Sequence, residues 1–173
     1  MSIHATDPFA TPESERSPVR RLRARLAAPV TLWTAGSGRD RAGLTVSSVL
    51  IVDGDPGRVV GIVDEESDLW SAVEATGTFV VSLLAPGDEQ LADRFAGLMP
   101  APGGLFRDSG WADSAWGPRR EGAPAWAGCR LDSGRPYGWG LLVEATIEEI
   151  GLAEPAPPLL HHRGRYRGIS GVS

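Results

Sequence analysis

The chain has 173 residues, 42% of them hydrophobic, which suits one domain with a full core. Its net charge of −5 argues against general affinity for nucleic acid or anionic membrane, and no apolar run approaches the length of a membrane span. A single cysteine, Cys129, excludes an intramolecular disulfide and a multi-cysteine zinc site, so no metal centre is expected and the default compartment is the cytoplasm.

Residues 1–17 lack the apolar stretch of a secretory signal and read as a disordered leader, which leaves 18–173 as the folded domain. The segment PVRRLRARLAAP (18–29) places Val19, Leu22 and Leu26 at helical spacing, predicting a short amphipathic helix over one end of the domain. Strand-like runs follow at 30–35, 44–53, 58–64 and 78–84, rich in β-branched residues and separated by turn chemistry. Between the last two lies SDLWSAVEATG (67–77), a helix with Ser67 as N-cap and Gly77 as terminator. GDEQLADRFAG (87–97) reads as a second short helix capped by Asp88, with Leu91 and Phe95 four apart. The loop-rich stretch 98–124 is long enough to be functional or to cover something. Strands return at 127–133 and 140–150, and PLLHHRGRYRGI (158–169) predicts a final strand with a kink. Many short strands with only small helices imply a mainly β fold, a closed barrel rather than a layered α/β domain.

The residue inventory narrows the chemistry. All 17 basic residues are Arg and there is no Lys or Asn, which removes the P-loop lysine and Schiff-base catalysis. The histidines are His4, His161 and His162, so a Ser–His–Asp triad would have to recruit the adjacent pair near the far end. GSGRDRAG (36–43) lacks GxGxxG spacing and precedes a strand, so it reads as a hairpin turn. DEESD (64–68) is acidic without the glycine turn of a metal loop and reads as a solvated connection, although its Ser67 opens a helix whose first N–H groups suit an anion. The segment TVSS (45–48) is the one run of hydroxyls inside a strand pattern. There Thr45 and Ser47 share a face and Ser48 takes the other, suited either to local backbone or to a flat ligand's polar atoms.

Taken in order, five segments resemble the flavin reductase-like family, whose fold is an FMN-binding split β-barrel with a few short helices. They are VRRLRARLAAPVTLWTA, GLTVSSVLIVDGDPGRVVGIV, SDLWSAVEATGTFVVSLL, EQLADRFAG and PLLHHRGRYRGI, within roughly 19–169. The resemblance implies a homodimer in which each barrel binds FMN, with FAD possible, and takes hydride from NADH or NADPH. It also implies a monooxygenase partner that receives reduced flavin. It places Thr45, Val46, Ser47 and Ser48 along the flavin, Ser67 at its phosphate end, and Arg94, Phe95 and Ala96 beside its ribityl-phosphate side. An Arg there is apt, because a guanidinium pairs bidentately with phosphate.

Three departures stand out. The family's S-x-T becomes Ser67-Asp68-Leu69, and its G-D-H becomes Tyr137-Gly138-Trp139. The hairpin before Gly140 looks short for the family. Trp139 and His162 are the candidates for the nicotinamide side. Another reading of the same residues is a non-catalytic barrel that binds flavin, haem or a deazaflavin.

Overall fold

The computed structural model describes residues 17–169, so the leader expected at 1–17 lies outside the described residues except for Ser17, which caps the first helix. Helix α1 (Pro18–Arg25) starts from Ser17, whose Oγ accepts from the Arg20 N–H at 3.3 Å. A short strand β1 (Ala28–Pro29) leads into β2 (Thr31–Ala35), β3 (Ala42–Val46), β4 (Val49–Val52) and β5 (Arg58–Val63). Helix α2 (Asp68–Thr76), strand β6 (Thr78–Leu83) and helix α3 (Glu89–Phe95) follow. The long connection carries a two-strand ribbon, β7 (Trp111–Ala112) and β8 (Arg119–Arg120). Then come two long strands, β9 (Ala125–Tyr137) and β10 (Gly140–Leu152), and the hairpin β11 (Leu159–His162) and β12 (Arg165–Gly168).

The predicted caps of α2 hold. Ser67 Oγ accepts from the Trp70 N–H at 3.2 Å and donates to the Asp64 carbonyl at 2.6 Å, while Gly77 closes the helix with φ 74°. A left-handed residue there costs glycine little and most other residues a clash with their Cβ. Asp88 does sit at the N-cap of α3, but its carboxylate accepts from the Ala85 N–H rather than from the helix.

Seven strands form one antiparallel sheet in the order β3-β2-β6-β9-β10-β5-β4. Its outer strands, β3 and β4, are consecutive in sequence and separated only by Ser47 and Ser48. A two-residue link between opposite edges requires the sheet to curl until its ends meet. This is a split barrel, and the split lies at the paired serines. There the Ile62 N–H donates to the Ser48 carbonyl at 2.9 Å. The single strand expected over 44–53 is therefore two strands: residues 42–46 pair with β2, and residues 49–52 pair with β5. The alternation of Leu44 and Val46 breaks at Ser48 and gives way to the apolar run 49–52, a break that local turn chemistry explains as readily as a change of partner.

The barrel interior is filled from β2, β5, β6, β10 and the inner face of α2. Trp33 and Phe79 stack at 4.7 Å near its centre, a contact worth about 0.5–1.5 kcal/mol beyond the burial itself. A second cluster lies outside the barrel wall, where Leu91, Ala92 and Phe95 of α3 meet Val30, Leu32, Leu84 and Leu159. The 98–124 connection covers that cluster: Phe106 and Trp111 pack on Phe95 at 5.3 and 5.6 Å between ring centres. The segment expected to be one kinked strand near the C-terminus is a hairpin that joins β1 in a three-strand sheet.

One expectation fails in an instructive way. Helix α1 forms, but Val19, Leu22 and Leu26 are 64–75% exposed, so its apolar face is not buried against the described residues. Helical periodicity identifies an apolar face without saying what packs on it.

Candidate functional site

Beside the split in the barrel lies a cleft of about 710 Å³, within the range of ligand pockets. Its floor is the paired edge formed by β4 and β5, including Val49, Val60 and Ile62. Its roof is α1 and the segment into β1, and one end is closed by His161 and the β11–β12 turn. Ser47 and Ser48 both line it, exposed, and neither hydroxyl makes a hydrogen bond within the described residues. Gly61 keeps the floor in place: a Cβ there would fall 2.5 Å from Trp33 Cη2, driving the core ring out of its stack.

The charge of the cleft is one-sided. Arg20, Arg23 and Arg163 line it with His161, and no Asp or Glu does among the described residues. In a protein of net charge −5 this is a local concentration of positive charge over an apolar floor. Flat apolar walls, adjacent hydroxyls and guanidinium groups suit an aromatic ligand carrying an anionic tail.

The other expected site residues surround the same strand but do not enter the cleft. Thr45 turns toward α3 and donates to the Ala92 carbonyl at 2.6 Å, tying the helix to β3. Val46 is buried in the barrel core. Ser67 is engaged at both its donor and its acceptor by the α2 cap. Arg94 Nη1 pairs with Asp108 at 3.0 Å, and its buried Nε has no partner among the described residues. Phe95 is a core side chain, 3% exposed, and Ala96 is exposed at the helix end. Because α2 and α3 both pack against β3, these positions flank the strand that leads to the serines.

Trp139 sits at the tip of the β9–β10 hairpin, fully exposed and joined to the strands by a two-residue turn. His162 is half-buried on β11 and points away from the cleft lining, whereas His161 belongs to it. The pairing of Ala28 with His161 sets that parity, and the adjacent histidines must take opposite faces. His161 is braced from behind by Tyr166, edge-on at 5.6 Å, and the Tyr166 hydroxyl donates to buried Asp93 at 2.6 Å. Burial first, then the bond to Asp93, pushes the Tyr166 hydroxyl above its ordinary value, so it holds its proton. Cys129, wholly buried, has its thiol pushed up to about 12 by burial and, secondarily, by Glu148, which leaves it no nucleophilic role. The residues that sequence reasoning missed are Arg20, Arg23 and Arg163. The signal for Arg20 and Arg23 was the basic stripe on α1, which reads as a solvated face, and Arg163 carried none.

The family model for the flavin reductase like domain matches residues 23–170. The chain belongs to that family. Among curated relatives it is 33% identical over 146 residues to the reductase component of 4-hydroxyphenylacetate 3-monooxygenase from Thermus thermophilus, covering 84% of this chain and 91% of that one. It is 32% identical over 164 residues to the FMN reductase (NADH) RutF of Ancylobacter novellus, covering 93% and 89% of the two chains. Among solved structures it is similar to BorF, the flavin reductase component of a bacterial two-component tryptophan halogenase. There the TM-score is 0.77 at 26% identity, over 87% of this chain and 96% of that one. Flavin reductase-like barrels thus share the curl that brings β3 and β4 together here. The family's S-x-T departs at Leu69, which is 1% exposed in the barrel core, so that position supports packing in this chain.

Proposed function

We propose that the protein is an NAD(P)H-dependent flavin reductase whose cleft beside the barrel split receives the flavin. The observation that carries this reading is the pair Ser47 and Ser48, two hydroxyls without a partner among the described residues at the seam of a flavin reductase-like barrel, opening onto an apolar floor. Bound flavin, FMN or FAD, supplies the redox chemistry as hydride acceptor. The chain's own residues bind and orient. Ser47 and Ser48 offer donors to polar ring atoms, the β4–β5 edge supplies a flat wall, and α1 excludes water from one side. No lysine, thiol or triad is needed, in keeping with an inventory that lacks them. Trp139 and His162 lie outside the cleft of the single chain, so a nicotinamide role for either requires a second copy or a movement of the hairpin.

A second copy also has a surface to meet. Edge strand β4 exposes Leu50, Ile51 and Val52, and α1 exposes Val19, Leu22 and Leu26. An apolar unpaired edge of this kind is a liability unless covered, and a homodimer covers it. The relatives named as reductase components suggest a monooxygenase as the consumer of the reduced flavin.

The test is anaerobic absorbance of the purified protein with FMN, before and after NADH. Bleaching of the flavin bands is expected. Flavin that stays oxidised with both NADH and NADPH, or protein that takes up none, overturns the reading. Ser47→Val with Ser48→Val should weaken flavin binding about 10-fold, the loss expected for one or two neutral hydrogen bonds.

A further inference from the structure

We propose that Arg20 and Arg23 of α1, with Arg163 of the β11–β12 turn, form the phosphate site of the cleft, holding the anionic tail of a nucleotide whose ring lies at Ser47 and Ser48. The inference rests on the flavin reductase reading and adds to it a site remote from α2 and α3. Arg20 and Arg23 are three residues apart, hence on one face of the helix, and that face is the one turned to the cleft. Arg21 and Arg25 of the same helix do not line it. Neither Arg20 nor Arg23 has a carboxylate partner among the described residues. Their charge is therefore not consumed by a carboxylate among the described residues.

The third guanidinium is delivered by an unusual backbone. Arg163 has φ 52°, the one non-glycine residue with positive φ among those described, and with Gly164 at 77° it makes the two-residue turn between β11 and β12. Such turns favour Asn or Gly at the first position, so an Arg there carries a conformational cost that a binding role offsets. The Arg163 N–H donates to the Ala24 carbonyl at 3.0 Å, which fixes this turn against the C-terminal end of α1. The three arginines thus come to one end of the cleft through a single backbone link. Arg94 is already paired with Asp108, and Ser67 is spent on its helix cap, so the positions first expected to hold phosphate have less to offer it.

The experiment compares wild type with Arg20→Gln/Arg23→Gln, and with Arg21→Gln/Arg25→Gln as a control that removes equal charge from the outer face. FMN and riboflavin are titrated by flavin fluorescence at low salt, NADH and dihydronicotinamide riboside by steady-state kinetics, and inorganic pyrophosphate by calorimetry. If the tail is the flavin's, the cleft-facing variant weakens FMN about 10-fold, as loss of two charge-assisted but partly screened contacts should. Riboflavin is then unchanged, and the control moves FMN less than about 3-fold. If the tail is the donor's, KM for NADH rises by the same factor while FMN and the riboside hold. Pyrophosphate binding is lost in the cleft-facing variant in either case. Equal behaviour of the two double variants toward FMN, NADH and pyrophosphate overturns the site. Wild type that binds pyrophosphate through Arg20 and Arg23 but takes up no flavin keeps the anion site and overturns the reductase reading alone.

Discussion

Replacing Tyr166 with Phe removes one oxygen and keeps the ring. That oxygen donates to Asp93 Oδ1 at 2.6 Å, and no other hydrogen bond reaches the Asp93 carboxylate among the described residues. Asp93 is 6% exposed, so the variant leaves a buried carboxylate without its donor. Losing a hydrogen bond to a charged group costs about 1.5–3 kcal/mol, and stranding a fully buried ion costs about 3–5 kcal/mol. Tyr166 itself is only half-buried, so water can enter where the hydroxyl was, and the loss should be about 2 kcal/mol. For a chain of this size that lowers Tm by about 4–8 °C. Asp93→Asn keeps an acceptor while removing the charge, so it should cost less, and it should recover part of the Phe variant's loss.

Urea unfolding of the four proteins in this double-mutant cycle measures the coupling, expected at about 1–2 kcal/mol. A Phe variant within about 0.5 kcal/mol of wild type, or strictly additive losses, refutes the reasoning. Because the Phe ring still braces His161, flavin affinity well below the transition should not change. A folded Phe variant with impaired flavin binding would assign the hydroxyl to the cleft instead. The pH dependence has a definite sign. The Tyr166 hydroxyl is pushed upward in the fold, so its contribution is complete below the free phenol's value of about 10 and falls as the pH rises beyond it. The Phe variant lacks that alkaline decline.

Gly43→Ala places a Cβ 2.4 Å from Phe95 Cε1, so α3 must move off β3, and a loss of about 1–3 kcal/mol in urea unfolding is expected. Cys129, with its thiol raised to about 12, should resist thiol reagents in the native protein at pH 8 and react fully once unfolded. Its neutral thiol supports the fold below about pH 9, and that support is lost as the pH climbs from there toward 12, a dependence absent from Cys129→Ala.

What the sequence made legible was local. Ser67 and Gly77 bound α2 because capping and left-handed termination are chemistry of single residues. The β-branched runs became strands for the same reason, and the loop over 98–124 does cover something, the cluster around Phe95. What stayed hidden depends on which elements meet. Apolar alternation from Leu44 breaks at Ser48 and gives way to four apolar residues, a break that does not by itself say that the strand changes partner there. Two adjacent serines were the only trace of it. Thr45 shares their motif and a strand face with Ser47, yet it bonds to α3, because the strand ends between them. His161 rather than His162 enters the cleft through its register with Ala28, a non-local fact. The arginines were the hardest to see, since Arg20 and Arg23 lie about 140 residues from Arg163 in the chain. A basic helix face alone is uninformative. It acquires meaning only when the Arg163 N–H, bonded to Ala24, brings a third guanidinium to a cleft that no carboxylate lines among the described residues. The hydroxyl seam and the arginine cluster then line one cavity, which is what motivates the proposal of a ring site and a tail site within it.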